Sequence, residues 1–182
     1  MSKVSGRRDS ELPFDLQPYL KGGLLELRPL SAADFLDLYA VASDPLIWEQ
    51  HPCNDRYQEQ VFKVFFREAL DSQGALVAID CKAGRVIGSS RFHGYDVANS
   101  EIEIGWTFLA RSHWGGVYNG EMKKLMLGHA FQFVRNVIFL IGPHNIRSQR
   151  AVEKIGAIRS GWRRDATGRE SLIYRIKAAA YT

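Results

Sequence analysis

The sequence predicts a mixed α/β domain whose elements run β-α-α-β-β-β-α-β-α-β-β. Three observations carry that expectation. Near the start, two stretches repeat apolar residues at helical spacing. Between residues 75 and 108, three β-rich runs follow one another, the first two separated by a turn-length gap, a signature of antiparallel pairing. The last third alternates apolar strands with short helical stretches.

Residues 1–20 are polar and punctuated by Pro13 and Pro18, so they read as a loosely held N-terminal arm, with 21–182 as a single domain. Leu24, Leu25, Leu27 and Arg28 before Pro29 predict the first strand. Ser31 with Asp34 forms an N-cap pair ahead of Phe35, Leu36, Leu38 and Tyr39, and Asp44-Pro45 ends that helix. A second helix over 56–70 places Val61, Val64, Phe65 and Ala69 on one stripe. Ala75 to Cys81 and Arg85 to Arg91 form a hairpin through Lys82-Ala83-Gly84, and Glu101 to Phe108 alternates as a third strand. After the turn Trp114 to Gly120, a helix buries Met122, Leu125, Met126, His129 and Phe133. Val137 to Ile141 is an apolar strand, 147–156 a helix closed by Gly156, and 157–162 and 171–177 two final strands.

Composition sets the outer bounds. With 182 residues, 46% of them hydrophobic, the chain can bury a core without disulfides, so Cys53 and Cys81 are not needed as staples. No apolar run approaches the ~18–20 residues of a membrane span, and the first residues lack a secretory apolar core. The expected location is the cytoplasm, with no membrane partner. A net charge of +4 is small for a dedicated nucleic-acid binder. The excess is concentrated between residues 147 and 169, where seven cations face only Glu153 and Asp165. Such a patch attracts RNA, acidic lipid or a phosphorylated small molecule.

Two junctions hold the candidate chemistry. The strand–turn–helix from Glu101 to Val134 offers free backbone N–H groups and a helix dipole to phosphate oxygens, although glycine turns before helices usually do no more than reverse the chain. It is neither a nucleotide P-loop nor a dinucleotide fingerprint. The second junction is Asn145 to Ala157, where Asn145 and Ser148 also read as an ordinary turn and helix cap. Together the junctions put polar groups at the same end of adjacent strands, where ligands bind.

Trp114-Gly-Gly-Val-Tyr-Asn119-Gly-Glu121 and Asn145-Ile-Arg-Ser148-Gln-Arg-Ala-Val-Glu-Lys154-Ile-Gly156-Ala157 resemble the GNAT superfamily of acyl-CoA-dependent N-acetyltransferases, and most closely its ribosomal-protein N-terminal acetyltransferase (RimJ/RimL-like) branch. The resemblance covers about Leu24 to Lys177. It implies a mixed, mostly antiparallel sheet of about seven strands with helices on both faces. It also implies acetyl transfer from acetyl-CoA, as co-substrate and without metal, to a primary amine: a peptide N-terminus, a polyamine or an amino sugar. The cofactor would lie between the strand ending near Phe108 and the strand 137–141. Phe108, Leu109 and Ala110 would pair with the pantetheine arm, and Trp114, Gly115, Gly116, Val117, Tyr118, Asn119 and Gly120 would wrap the pyrophosphate. Asn145 and Ser148 would hold the arm and its neighbouring phosphate, with Arg150 or Lys154 on the remaining phosphate. Glu103 is the first candidate base, with Glu101 on the same face by period two. Asn145, beside the reacting arm, joins Glu103 as a catalytic candidate. A backbone N–H near Phe108 would polarise the thioester carbonyl.

Val117 departs from the family's turn, where glycine is usual. A β-branched residue at positive φ is costly, so either Gly115 and Gly116 take up the burden or phosphate binding weakens. That departure motivates the alternative of a catalytically weak or inactive acyl-CoA-binding module. His51, His93 and His144 lack metal-ligand spacing. Trp48, Trp106 and Trp162 read as core or cleft wall. An exposed edge strand leaves a homodimer open.

Overall fold

The computed structural model describes residues 13–181. Eight strands form one sheet: β1 (Leu20–Lys21), β2 (Leu25–Pro29), β3 (Ala75–Asp80), β4 (Val86–Asp96), β5 (Glu101–Leu109), β6 (Asn136–Ile141), β7 (Ile158–Arg164) and β8 (Glu170–Lys177). Their spatial order is β1-β2-β3-β4-β5-β6-β8-β7, and every neighbouring pair is antiparallel except β5 and β6. Four helices complete the element order: α1 (Phe35–Ala42), α2 (Glu59–Asp71), α3 (Val117–Ala130) and α4 (Ile146–Glu153). Helices cover both faces, as expected. One core joins α3 and α4 to the sheet through Met122, Met126, Leu127 and Val152, and a second joins α1 and α2 through Leu38, Phe62 and Phe65.

The sheet has one strand more than the sequence suggested, because β1 is only two residues long and carries no periodic signal. It pairs Leu20 with Leu27 and Lys21 with Glu26. Within the described residues, 13–20 are not loose. Phe14 is buried against Phe92 and Phe133, and Nε2 of His129 lies 2.7 Å from the Asp15 carbonyl. Burying a phenyl ring contributes roughly 2–3 kcal/mol, enough to hold this segment to the core. The remaining arm residues, 1–12, lie outside the described residues.

α1 begins where Ser31 and Asp34 predict, after one short turn of tighter helix. The Asp34 carboxylate accepts from Ser31 N–H at 2.8 Å and from both terminal nitrogens of Arg28, an arrangement that holds its pKa down although burial opposes this. α2 buries Phe65 and Ala69 as expected, but completes its stripe with Phe62 and Phe66 in place of the valines. Phe62, Phe65, Phe66 and Ala69 face inward, whereas Val64 is exposed, because the phenyl rings fill the space against Phe35 and Phe108. β4 runs five residues beyond the expected end at Arg91, pairing Phe92 and His93 with β5. The Glu121 carboxylate accepts from the N–H groups of Gly23, Leu24 and Leu25, tying the start of α3 to the β1–β2 turn. Trp162 lies neither in the core nor in the cleft wall: it sits 61% exposed on the edge strand β7.

Candidate active site

β5 and β6 pair over three residues only, Glu101 with Asn136, Ile102 with Val137 and Glu103 with Ile138. Beyond Glu103 they part, although β5 continues to Leu109 and β6 to Ile141. The cause is local. Ser89 pairs with Phe108 but Arg91 with Gly105, so β5 carries one extra residue there, and such a bulge bends its strand. Trp106, inside the bulge, has φ +51°, a left-handed conformation unfavourable for a bulky residue. The Arg91 guanidinium, 4.5 Å from the ring centroid, and the His93 ring at 5.1 Å hold it there. The parted strands open a cleft of about 830 Å³, reached by both candidate junctions.

Glu103 forms the floor of the opening, where pairing stops, and is only 8% exposed. Gly105, next on the same face, leaves it room: a Cβ there would lie 3.0 Å from Glu103 Oε1. Burial pushes the Glu103 carboxyl up to about 7, against the opposing pull of Arg163 and Arg91. Arg163 Nη2 lies 3.8 Å from Glu103 Oε2. Glu101 does not reach the cleft; it is held by Arg175 at 2.8 Å beside the closed part of the seam.

At the mouth, Gly115 takes the positive φ of +69° and Gly116 is the N-cap of α3. Val117 is the first helical residue, so it avoids the strain feared for it, and the motive for a weakened phosphate turn disappears. The first-turn N–H groups of α3 have no acceptor within the helix. Trp114, Gly115, Gly116, Asn119 and Gly120 line the cleft. Val117 and Tyr118 do not: Val117 points to solvent, and the Tyr118 hydroxyl donates to Asp80 at 3.1 Å.

Phe108 and Leu109 also line the cleft, but Ala110 does not, and its N–H is committed to the Ile87 carbonyl at 2.8 Å. On α4, Asn145 is buried and serves as the N-cap, its Oδ1 accepting from Ser148 N–H at 3.2 Å. The ordinary cap is therefore real, and Asn145 lines the cleft as well. Ser148, Arg150 and Lys154 line it on the same helix and just past it. The late basic segment is not one patch. Arg150 and Lys154 lie at the mouth, Arg164 pairs with Glu170, and Arg147 stacks 4.1 Å over Trp114 while donating to the Ile47 carbonyl.

Lys123 was not among the expected site residues. It is 4% exposed and lines the cleft, its ammonium donating to Thr107 Oγ1 and, at 3.4 Å, to Ser90 Oγ. Burial alone pulls its pKa down to about 7. One signal was available: Lys123 stands three and four residues before Met126 and Leu127, on the buried stripe of α3. Arg91, on the α2 side of the sheet, was also missed, because it joins Arg56 at the Phe65 ring only once the sheet has formed.

A family model described as "Acetyltransferase (GNAT) domain" matches residues 25–158. The chain belongs to this GNAT family. Solved structures agree in fold. A GCN5-related N-acetyltransferase from Brucella melitensis superposes with TM-score 0.79 at 21% identity, covering 93% of this chain and 82% of that one. A putative acetyltransferase from T. thermophilus gives 0.71 at 26%, covering 89% and 90%. Mycobacterium smegmatis RimJ in complex with CoA-disulfide gives 0.63 at 19%, covering 89% and 87%. No curated protein matches the sequence. As a GNAT protein the chain is an acetyl-CoA-dependent acetyltransferase. No helix among the described residues is long and apolar enough to cross a membrane.

Proposed function

We propose that this GNAT enzyme N-acetylates a primary amine by direct attack within a ternary complex, with Glu103 as the general base. One observation carries the reading: a single buried carboxyl stands at the floor of the opening where β5 and β6 part. The residues around that opening fit acetyl-CoA. The β5 edge lacks a strand partner beyond Glu103, suiting the pantetheine amides. The N–H groups at the start of α3 suit the pyrophosphate, with Asn145 and Ser148 beside the arm and Arg150 or Lys154 on the outer phosphate. Acetyl-CoA is available in the cytoplasm, so the reaction is read as cytoplasmic.

Bound acetyl-CoA supplies the thioester that the amine attacks: a C–N bond forms and the C–S bond breaks. Glu103 receives the amine's proton, directly or through water. A backbone N–H near Phe108 faces the carbonyl oxygen as charge develops on it. Lys123, anchored on Thr107, stabilises the departing thiolate and gives it a proton, so that free CoA thiol and an amide result. A base and an acid that both titrate near 7 make the pH profile a narrow bell. Thiol release from acetyl-CoA, followed against pH with an amine panel, tests this. A bell whose acid limb vanishes in Glu103→Gln is expected, and an unchanged limb removes Glu103 as base.

A further inference from the structure

The acceptor side of the cleft is strongly cationic for an enzyme whose other substrate is an amine. Arg56, Arg163 and Arg169 line it, and Arg91 is buried behind Trp106. Against these stand Glu103, partly neutral at pH 7, Asp165, and from outside the cleft Glu68, whose charge bears on both Arg56 and Arg91. The Asp165 carboxylate is already engaged by the N–H groups of Thr167 and Arg169 and by the Thr167 hydroxyl. Nε and Nη2 of Arg91 are buried without a hydrogen-bond partner among the described residues. Arg91 is the one of the four that is buried, Arg163 and Arg169 being exposed, and three further cations converging on one opening suit a counter-charge brought in from outside.

The CoA phosphates are badly placed to supply it. Arg163 contacts Glu103 at the floor of the opening, whereas the turn at Trp114 lies beyond the far end of β5. From Glu103 to Leu109 the strand spans roughly 20 Å.

The pair His51 and Arg56 makes the requirement specific. His51 Nδ1 accepts from Cys53 N–H at 2.9 Å, which fixes the proton of the neutral ring on Nε2. The ring is neutral: burial, with repulsion from Arg56, Arg169 and Arg147, brings its pKa down to about 3. Nε2–H then stands 3.3 Å from Arg56 Nη1, donor against donor. An oxygen anion set beside them accepts from both. Stacking on Phe65 at 4.5 Å and Trp48 at 5.5 Å presets the Arg56 guanidinium for this role.

We infer that the acetyl acceptor is an amine carrying an anionic group, a carboxylate or a phosphate, held by Arg56, His51 Nε2–H and the hairpin cation Arg169. The inference rests on the amine acetylation at Glu103 read under the proposed function. Polycationic acceptors, polyamines and aminoglycosides, meet repulsion from the same four arginines. Of the three amine classes considered for this cleft, only one that offers a negative charge close to its amine fits.

Calorimetry on the CoA-saturated protein tests it with matched probes: glycylglycine against glycylglycinamide, O-phosphoethanolamine against ethanolamine, and spermidine. At least one anionic probe is expected to bind tenfold or more tightly than its uncharged-ended partner, and the arm that shows this tells carboxylate from phosphate. Arg56→Ala and, on the exposed hairpin, Arg169→Ala should each cut that advantage severalfold without changing CoA affinity. Equal binding within both pairs, tighter binding of spermidine, or failure of both anionic probes overturns the inference. An advantage that survives both substitutions overturns it too. An anionic amine that binds through these arginines and is not acetylated with acetyl-CoA leaves the anion site standing and removes the acceptor reading instead.

Discussion

Glu101 and Glu103 are the same residue type, two positions apart on one face of one strand, and they meet opposite fates. Glu101 sits where β5 still pairs with β6 and is held by Arg175, which reaches it from β8 at 2.8 Å. Glu103 stands at the last paired position, with Gly105 beyond it and a cation no nearer than the 3.8 Å of Arg163. What separates them is the bulge around Trp106, which ends the seam. A carboxylate inside a closed seam is neutralised by an ion pair. At its opening it keeps an unspent lone pair and a pKa of about 7.

The comparison breaks first at Glu103→Gln. Turnover at pH 7 should fall about 100-fold or more, the range for removing a general base, and the rise of activity with pH through about 7 should disappear. Stability moves the other way. A carboxyl whose folded pKa is raised binds its proton better folded than unfolded, so the native state loses stability as pH climbs from about 4.5 to about 7. The glutamine variant escapes this loss. It should match wild type near pH 4 and exceed it by ~3 kcal/mol above pH 7, readable in urea titrations at the two pH values.

Lys123→Met comes next. It removes the ammonium charge, anchored on Thr107, that stabilises the leaving thiolate, so kcat should fall about 10- to 100-fold and the alkaline limb of the bell should be lost while the acid limb stays. A lysine whose folded pKa is lowered to about 7 costs stability progressively as pH falls from about 10.5 to about 7, and in full below that, so the variant should also melt higher at pH 6. A lower melting temperature with both limbs retained would make Lys123 a packing residue.

The two ends of the seam also differ in how far the sequence exposes them. Strand and helix order follow from local periodicity, and the junctions at Trp114 and Asn145 were readable because a turn and a helix cap each lie within a few residues. The bulge was not readable. Nothing in Gly105-Trp106-Thr107 announces a left-handed tryptophan, which persists through Arg91 and His93 on the neighbouring strand. Arg91 was hidden for the same reason, since it joins Arg56, Arg163 and Arg169 only after the sheet forms. In α2, two apolar stripes overlap in sequence, and packing against Phe35 and Phe108 chose the aromatic one.

Asn145→Ala sharpens the cofactor side with a smaller effect. Loss of the cap from Ser148 N–H should cost about 1 kcal/mol of stability, and CoA affinity should weaken about tenfold with kcat at saturation changed less. Calorimetry with CoA separates the two effects. A stability loss with unchanged CoA affinity would leave Asn145 a cap alone.

Glu101→Gln should have the smallest effect and is the control that gives the comparison its meaning. Its partner Arg175 is partly exposed, so losing the charge should cost no more than about 1 kcal/mol, and the amide can still accept from the guanidinium. Because Glu101 does not line the cleft, kcat and its pH profile should stay within about twofold of wild type. If Glu101→Gln instead flattened the acid limb as Glu103→Gln does, the proton would be passing along the strand face. The seam, rather than its opening, would then be the functional unit.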